Sequence, residues 1–311
     1  MTHLRRTVVL AIVALMMVAA GALYAQDTYR IGVLRGPTAV AFAPLIDETP
    51  VLEDGRGVEV VTFPTPPNLI AAYLGGEVDA ATLPSNAAAQ LSGRGAPVQV
   101  AATFIWGVLY VVGPAEVTLD ELGGEVYSIG RGASPDVVFR YVLEQEGLAD
   151  EIEVAYGYAQ VELSQLLISG RVDAGVLPEP FVTRVLAENE DLGIVADLQE
   201  RFAEHAESGL PQTTLVVRPG DDATAELVDL LDGSVEAVLA DPEASATLVA
   251  GLGLGLDEET VRASLPRLNL RVENAAESRS ALERYLSILY EFEPASVGGS
   301  LPGDTFYGGG E

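Results

Sequence analysis

Residues 76–84 read Gly-Glu-Val-Asp-Ala-Ala-Thr-Leu-Pro, and residues 170–178 read Gly-Arg-Val-Asp-Ala-Gly-Val-Leu-Pro. Six of the nine positions agree: Gly76/Gly170, Val78/Val172, Asp79/Asp173, Ala80/Ala174, Leu83/Leu177 and Pro84/Pro178. The two copies lie 94 residues apart. Solenoid repeats run at roughly 20–50 residues, so this period indicates two similar α/β lobes instead. Two such lobes enclose a cleft.

The surrounding pattern alternates strand and helix. Strands are predicted at 29–34, 58–63, 78–83, 98–102 and 109–112, with helices at 39–46, 69–74 and 86–91 between them. The grammar repeats with strands at 126–129, 153–156 and 173–177 and helices at 136–146, 161–168 and 181–188. A further strand at 211–217 is followed by helices only, at 224–239, 242–251, 258–265 and 276–291. The expected fold is α/β, with mostly parallel sheets and right-handed crossovers. Two crossings, near 107–116 and 205–212, would join the sheets. The expected organisation is a signal peptide over 1–25, a discontinuous lobe 1 of 26–110 and 212–311, and lobe 2 over 111–211.

The amino-terminal segment carries Arg5 and Arg6, then an uncharged apolar run from Val8 to Ala20. That is the pattern of a secretory signal, with cleavage after Ala22 or Ala25. The apolar run is shorter than the ~20 residues a membrane span needs. A soluble, extracytoplasmic (periplasmic) protein is expected. The chain has no cysteine, which excludes disulfides, thiolate metal sites, a cysteine nucleophile and a lipoprotein anchor. All 17 basic residues are arginine, so a lysine Schiff base is excluded. Two histidines are present, and His3 falls in the signal. That leaves His205, in an acidic helical stretch, and argues against a Ser-His-Asp triad or a two-histidine metal site. Neither catalytic residue, metal nor cofactor is expected. The net charge of −29 argues against a nucleic-acid partner.

In open α/β sheets ligands lie beyond the carboxyl ends of the strands. The strand-to-helix turns there are 35–38, 83–86, 130–135 and 177–181. Helix N-termini at such turns favour anionic oxygens. Asp79 and Asp173 start their strands at the opposite end and read as backbone hydrogen-bond acceptors, not as a catalytic pair. Thr38 is a good N-cap type. Arg35 and Arg131 occupy matched positions and are either solvated or anion anchors. Trp106, the one tryptophan, reads as core or as cleft wall. Tyr156 and Tyr158 could wall the cleft, and Glu179 is either a turn residue or a polar ligand contact.

The ordered segments Arg-Gly-Pro-Thr-Ala-Val at 35–40, 74–91, Trp-Gly-Val-Leu-Tyr-Val-Val at 106–112, Gly-Arg-Gly-Ala-Ser-Pro at 130–135, 170–183 and 296–307 resemble a known family. It comprises the substrate-binding proteins of ABC importers in the nitrate/sulfonate/taurine and thiamine-precursor group. The resemblance spans essentially the whole mature chain and implies the type 2 periplasmic binding protein fold. It implies a non-enzymatic, monomeric protein that captures a small organic molecule, an anion or a heterocycle, and delivers it to an ABC permease. On this resemblance the ligand contacts are Gly36, Pro37 and Thr38; Pro84, Ser85 and Asn86; and Thr103, Trp106 and Gly107; the reading of the residues themselves adds Arg35. In lobe 2 they are Gly132, Ala133, Ser134, Glu179 and Phe181, to which the reading of the residues adds Arg131 and Tyr158. Two alternatives stand beside it: an enzyme of the pyrimidine- or menaquinone-pathway type on the same fold, and a ligand-sensing partner of a receptor.

Overall fold

The computed structural model describes residues 28–309; the signal peptide expected at 1–25 lies outside the described residues. The chain opens with β1 (Thr28–Leu34), α1 (Pro37–Ala41), α2 (Ala43–Glu48), β2 (Gly57–Phe63), α3 (Pro66–Gly75), β3 (Ala80–Pro84), α4 (Ser85–Gly93) and β4 (Gln99–Ile105). It crosses to β5 (Leu109–Pro114), α5 (Leu119–Leu122), β6 (Gly124–Tyr127), α6 (Ser134–Glu146), β7 (Ile152–Ala155), α7 (Gln160–Ile168), β8 (Gly175–Pro178), α8 (Phe181–Glu188), β9 (Leu192–Asp197) and α9 (Leu198–Ala206). It returns through β10 (Thr213–Val217), α10 (Thr224–Ala240), α11 (Pro242–Gly251), α12 (Glu258–Ser264), β11 (Leu270–Asn274) and α13 (Ala275–Phe292).

Two sheets result, ordered β11-β4-β10-β3-β1-β2 and β7-β6-β8-β5-β9. In the first, β1 runs parallel to β2 and β3, and the returning β10 is antiparallel to β3 and β4. In the second, β6 runs parallel to β7 and β8, while β5 is antiparallel to β8 and β9. Most strands of each sheet therefore share one direction. The carboxyl ends of β1, β3 and β8 converge between the sheets on a common cavity.

The repeated nine-residue phrase has a specific structural content. Its first residue ends a helical segment in the left-handed region, φ +76° at Gly76 and +63° at Gly170, where glycine carries no Cβ penalty. Ala80, Ala81 and Leu83 are buried in β3, and Ala174 and Leu177 are buried just before and within β8. The two aspartates differ. Asp79 accepts a hydrogen bond from the Arg30 N–H at 2.8 Å and returns one from its own N–H to Arg30, stitching β3 to β1. Asp173 is exposed.

Three segments depart from the sequence expectation. The helix expected over 39–46 is two short helices meeting at Phe42, and Gly36, not Thr38, is the N-cap. The carboxyl-terminal part is not helical throughout: Leu-Arg-Val-Glu-Asn at 270–274 adds edge strand β11 to β4. Its apolar–polar alternation is only five residues long. Residues 192–197, given no element from sequence, form β9, and the helical stretch expected around His205 is α9, where the Asp197 carboxylate caps the helix by accepting from Gln199 and Glu200 N–H at 3.0 Å.

The chain passes between sheets at 106–108 and 207–212, and the two passages are bonded side by side. Gln212 N–H donates to Ile105 O at 2.9 Å, Val108 N–H to Gln212 Oε1 at 3.0 Å, and Leu109 N–H to Gln199 Oε1 at 2.9 Å. On one side α13 joins the two halves through an aromatic chain. Phe202 meets Tyr285 at 6.0 Å between centroids, and Tyr141 meets both Phe202 (5.4 Å) and Phe292 (5.9 Å). The opposite side is closed by α12 against α8.

Gly107 sits at φ +96°, and a Cβ there would fall 2.6 Å from Cβ of Gln199. Gly107→Ala is expected to destabilise the protein by roughly 1–3 kcal/mol through backbone strain and overpacking. A urea denaturation midpoint equal to wild type would contradict the packing described for this crossing.

Candidate ligand-binding site

A cavity of about 460 Å³ lies where the carboxyl ends of both sheets face each other. Pockets that hold small molecules span ~300–1,000 Å³. The first sheet supplies Leu34, Pro84, Ile105 and Thr213, and the turn after β1 supplies Arg35 to Thr38. The second supplies Pro178 to Phe181 after β8 and Gln160 at the start of α7. Val108 of the first crossing and the loop Leu254–Leu256 complete the enclosure. Most of this lining is apolar.

The polar groups divide into two kinds. Among the described residues, the Arg35 guanidinium and the side chains of Thr38, Gln160 and Thr213 have no hydrogen-bond or ionic partner. Arg35 is exposed, while Thr38 and Thr213 are buried. Glu179 is the opposite case. Its side chain is wholly buried, and its carboxylate accepts from Thr183 N–H and Thr183 Oγ1, both at 3.0 Å, and from Arg267 Nε. Arg267 Nη2 also donates to Thr183 Oγ1 at 2.6 Å. Isolated burial of a carboxylate is costly, and this arrangement compensates it.

Of the residues expected at the site, the cavity gathers Arg35, Gly36, Pro37, Thr38, Pro84, Glu179 and Phe181. The others stand elsewhere. Ser85 is fully buried and its hydroxyl donates to Pro211 O at 2.6 Å; the Asn86 amide donates to Ser296 O at 3.4 Å. Thr103 is fully buried in β4, and its hydroxyl has no partner among the described residues. Gly107 is filled by the Gln199 side chain. Trp106 faces away into a separate groove with Gly209, Arg271 and Arg284, its indole N–H donating to Arg271 O at 2.9 Å and its ring 4.3 Å beneath the Arg271 guanidinium. Tyr158 packs on Tyr127, 5.1 Å between centroids.

The Gly-Arg-Gly-Ala-Ser turn of the second half is taken up by protein contacts. Asp136 is completely buried and accepts from Gly132 N–H at 2.6 Å, Tyr156 hydroxyl at 2.6 Å and Arg140 at 3.0 and 3.2 Å. Burial, then this bond to Asp136, pushes the Tyr156 phenol up to about 12. Arg131 lies 4.2 Å over the Tyr156 ring, Ala133 is the N-cap of α6, and Ser134 Oγ bonds Tyr285 of α13. A side chain at Gly132 would meet Glu293, 3.1 Å away. The sequence symmetry between Arg35 and Arg131 is thus broken: Arg131 stacks on a tyrosine, and Arg35 remains free.

Sequence reasoning missed Gln160, Thr213, Arg267 and the Leu254–Leu256 loop. The loop carried a signal: Gly-Leu-Gly-Leu-Gly-Leu at 251–256 is an apolar run between two helices, too exposed by position to remain uncovered. Nothing local marks Arg267 as the partner of Glu179, 88 residues away.

Asp136→Asn is expected to lower stability by roughly 2 kcal/mol, since Arg140 and the Gly132 turn lose a charged acceptor. Chemical denaturation reads this directly, and an unchanged midpoint would remove Asp136 as the anchor of the turn.

No protein-family model matches this chain, and no curated protein matches it. Solved structures do. An ABC transporter protein from Parabacteroides distasonis superposes with a TM-score of 0.80 and 27% identity, over 90% of this chain and 98% of that one. The periplasmic aliphatic sulphonate binding protein SsuA of Escherichia coli gives 0.69 and 16% identity, over 88% and 90%. The alkanesulfonate-binding protein SsuA of Xanthomonas axonopodis pv. citri, bound to MOPS, gives 0.65 and 18%, over 91% and 96%. The chain has the two-lobe fold of the periplasmic binding proteins of ABC transporters.

Proposed function

We propose that this protein is an extracytoplasmic solute-binding protein that captures a small organic anion between its lobes and delivers it to an ABC-type importer. The observation that carries the reading is the cavity itself: about 460 Å³, apolar in most of its wall, with the unpaired Arg35 guanidinium at its edge. A cation at the rim of an apolar enclosure favours a ligand with one negative head and an apolar body. Thr38, Thr213 and Gln160 offer further donors toward the head.

The delivery role rests on likeness to the binding proteins named above. The amino-terminal signal pattern supports export. No helix among the described residues is long and apolar enough to cross a membrane. A binder is favoured over an enzyme because the ionisable residues of the cavity are Arg35 and Glu179, and Glu179 is committed to Arg267 and Thr183. A heterocycle stacked on Trp106 has no support here, because that ring is covered by Arg271 outside the cavity.

Purified protein is to be screened by thermal shift and calorimetry against hexanoate, benzoate and hexanesulfonate. At one hundred times the dissociation constant a bound anion is expected to add about 2.7 kcal/mol of stability. Arg35→Gln is expected to weaken the best binder roughly ten- to a hundredfold, the worth of a charged hydrogen bond. Binding of none of these anions, or unchanged affinity in the Arg35 variant, would refute the anion reading.

A further inference from the structure

Among the described residues that line the cavity, Glu179 is the one with a carboxylate, which is buried and paired with an arginine outside the lining. Glu179 follows β8, in the second lobe, and lines the cavity. Arg267 ends the turn after α12, in the first lobe, and is not part of the cavity lining. Glu179 is completely buried, whereas the Arg267 side chain keeps 29% exposure, so the cation is the accessible half of the pair. Every hydrogen bond to the carboxylate comes from Thr183 or Arg267.

Arg267 is held in place independently of Glu179. Its carbonyl accepts from the Tyr110 hydroxyl at 3.2 Å. The neighbouring Asn269 amide donates to Gly107 O at 2.9 Å, tying this turn to the first crossing. The guanidinium is therefore presented to Glu179 by the backbone around it, and its removal need not move the turn.

We propose that Arg267 determines ligand specificity without touching the ligand: by occupying the Glu179 carboxylate it closes the cavity to ligands that carry an ammonium group. The inference rests on the anion-binding reading above and adds which anions are accepted. With Arg267 in place, the cavity offers a free cation, Arg35, and no free anion. A zwitterion would bury its ammonium against apolar wall without a counter-charge, which is strongly unfavourable. Specificity of this kind comes from rejecting the wrong ligand as much as from holding the right one. Without Arg267 the buried carboxylate lacks a counter-ion, and an ammonium on the ligand would supply it.

Hexanoate and 6-aminohexanoate form the test pair, since they differ by one ammonium. Calorimetry at neutral pH is to give their affinity ratio for wild type, Arg267→Met, Glu179→Gln and the double variant, each checked for folding by circular dichroism. Wild type is expected to favour hexanoate. Arg267→Met is expected to move the ratio toward 6-aminohexanoate by about tenfold or more, the scale of a buried charge pair. The double variant is expected to return it toward wild type. Glu179→Gln frees the arginine and is expected to move the ratio the other way, which keeps the test decisive if Arg267→Met does not fold. Hexanoate binding with ratios unchanged in the folded variants would overturn the role of Arg267 while leaving the anion site intact. Failure of wild type to bind either compound or any anion of the screen would overturn the underlying reading instead.

Discussion

The geometry of this protein depends on two chain passages being bonded to one another. The amide of Gln212 reaches Ile105, and the side chains of Gln212 and Gln199 take the N–H groups of Val108 and Leu109. Crossing backbone leaves the ladder of one sheet before entering that of the next, so its polar groups need partners from elsewhere. Two glutamines supply them here. Because Gly107 carries no side chain, Gln199 lies directly on the passage. The sheets are thereby held with their strand ends facing, and the cavity is the space that remains.

The two flanks of that space differ in chemistry. On the α13 side an aromatic chain through Tyr141, Phe202, Tyr285 and Phe292 makes a continuous apolar contact between the halves. On the α12 side the contact is the Glu179–Arg267 pair with Thr183. Apolar contact is non-directional and tolerates small shifts, whereas a buried ion pair is stabilising only in its full geometry.

Much of this was legible in the sequence. The doubled Gly-x-Val-Asp-Ala phrase fixed a helix end, a strand start and a buried strand twice over, because each of those roles is local. The strand-to-helix turn at 35–38 was legible for the same reason. The second-half turn at 130–135 lies outside the cavity, held by Asp136, Tyr156 and Glu293, and such contacts are a property of tertiary structure. Trp106 was left open between core and cleft wall: a lone tryptophan beside a crossing can face either side, and its stacking with Arg271 is invisible in the sequence around it. Strand β11 was too short and too charged to stand out, and its pairing with β4 is what makes it a strand. Arg267 and Glu179 are connected only by the fold.

The most direct test of the account is where an anion binds. Amide and side-chain NMR of the isotope-labelled protein during titration with hexanesulfonate locates it. The account expects the largest shifts at Gly36, Gly255, the Gln160 side-chain amide and the Arg35 guanidinium. Shifts confined to Gly209 and the Trp106 indole, or none at saturating anion, would contradict it.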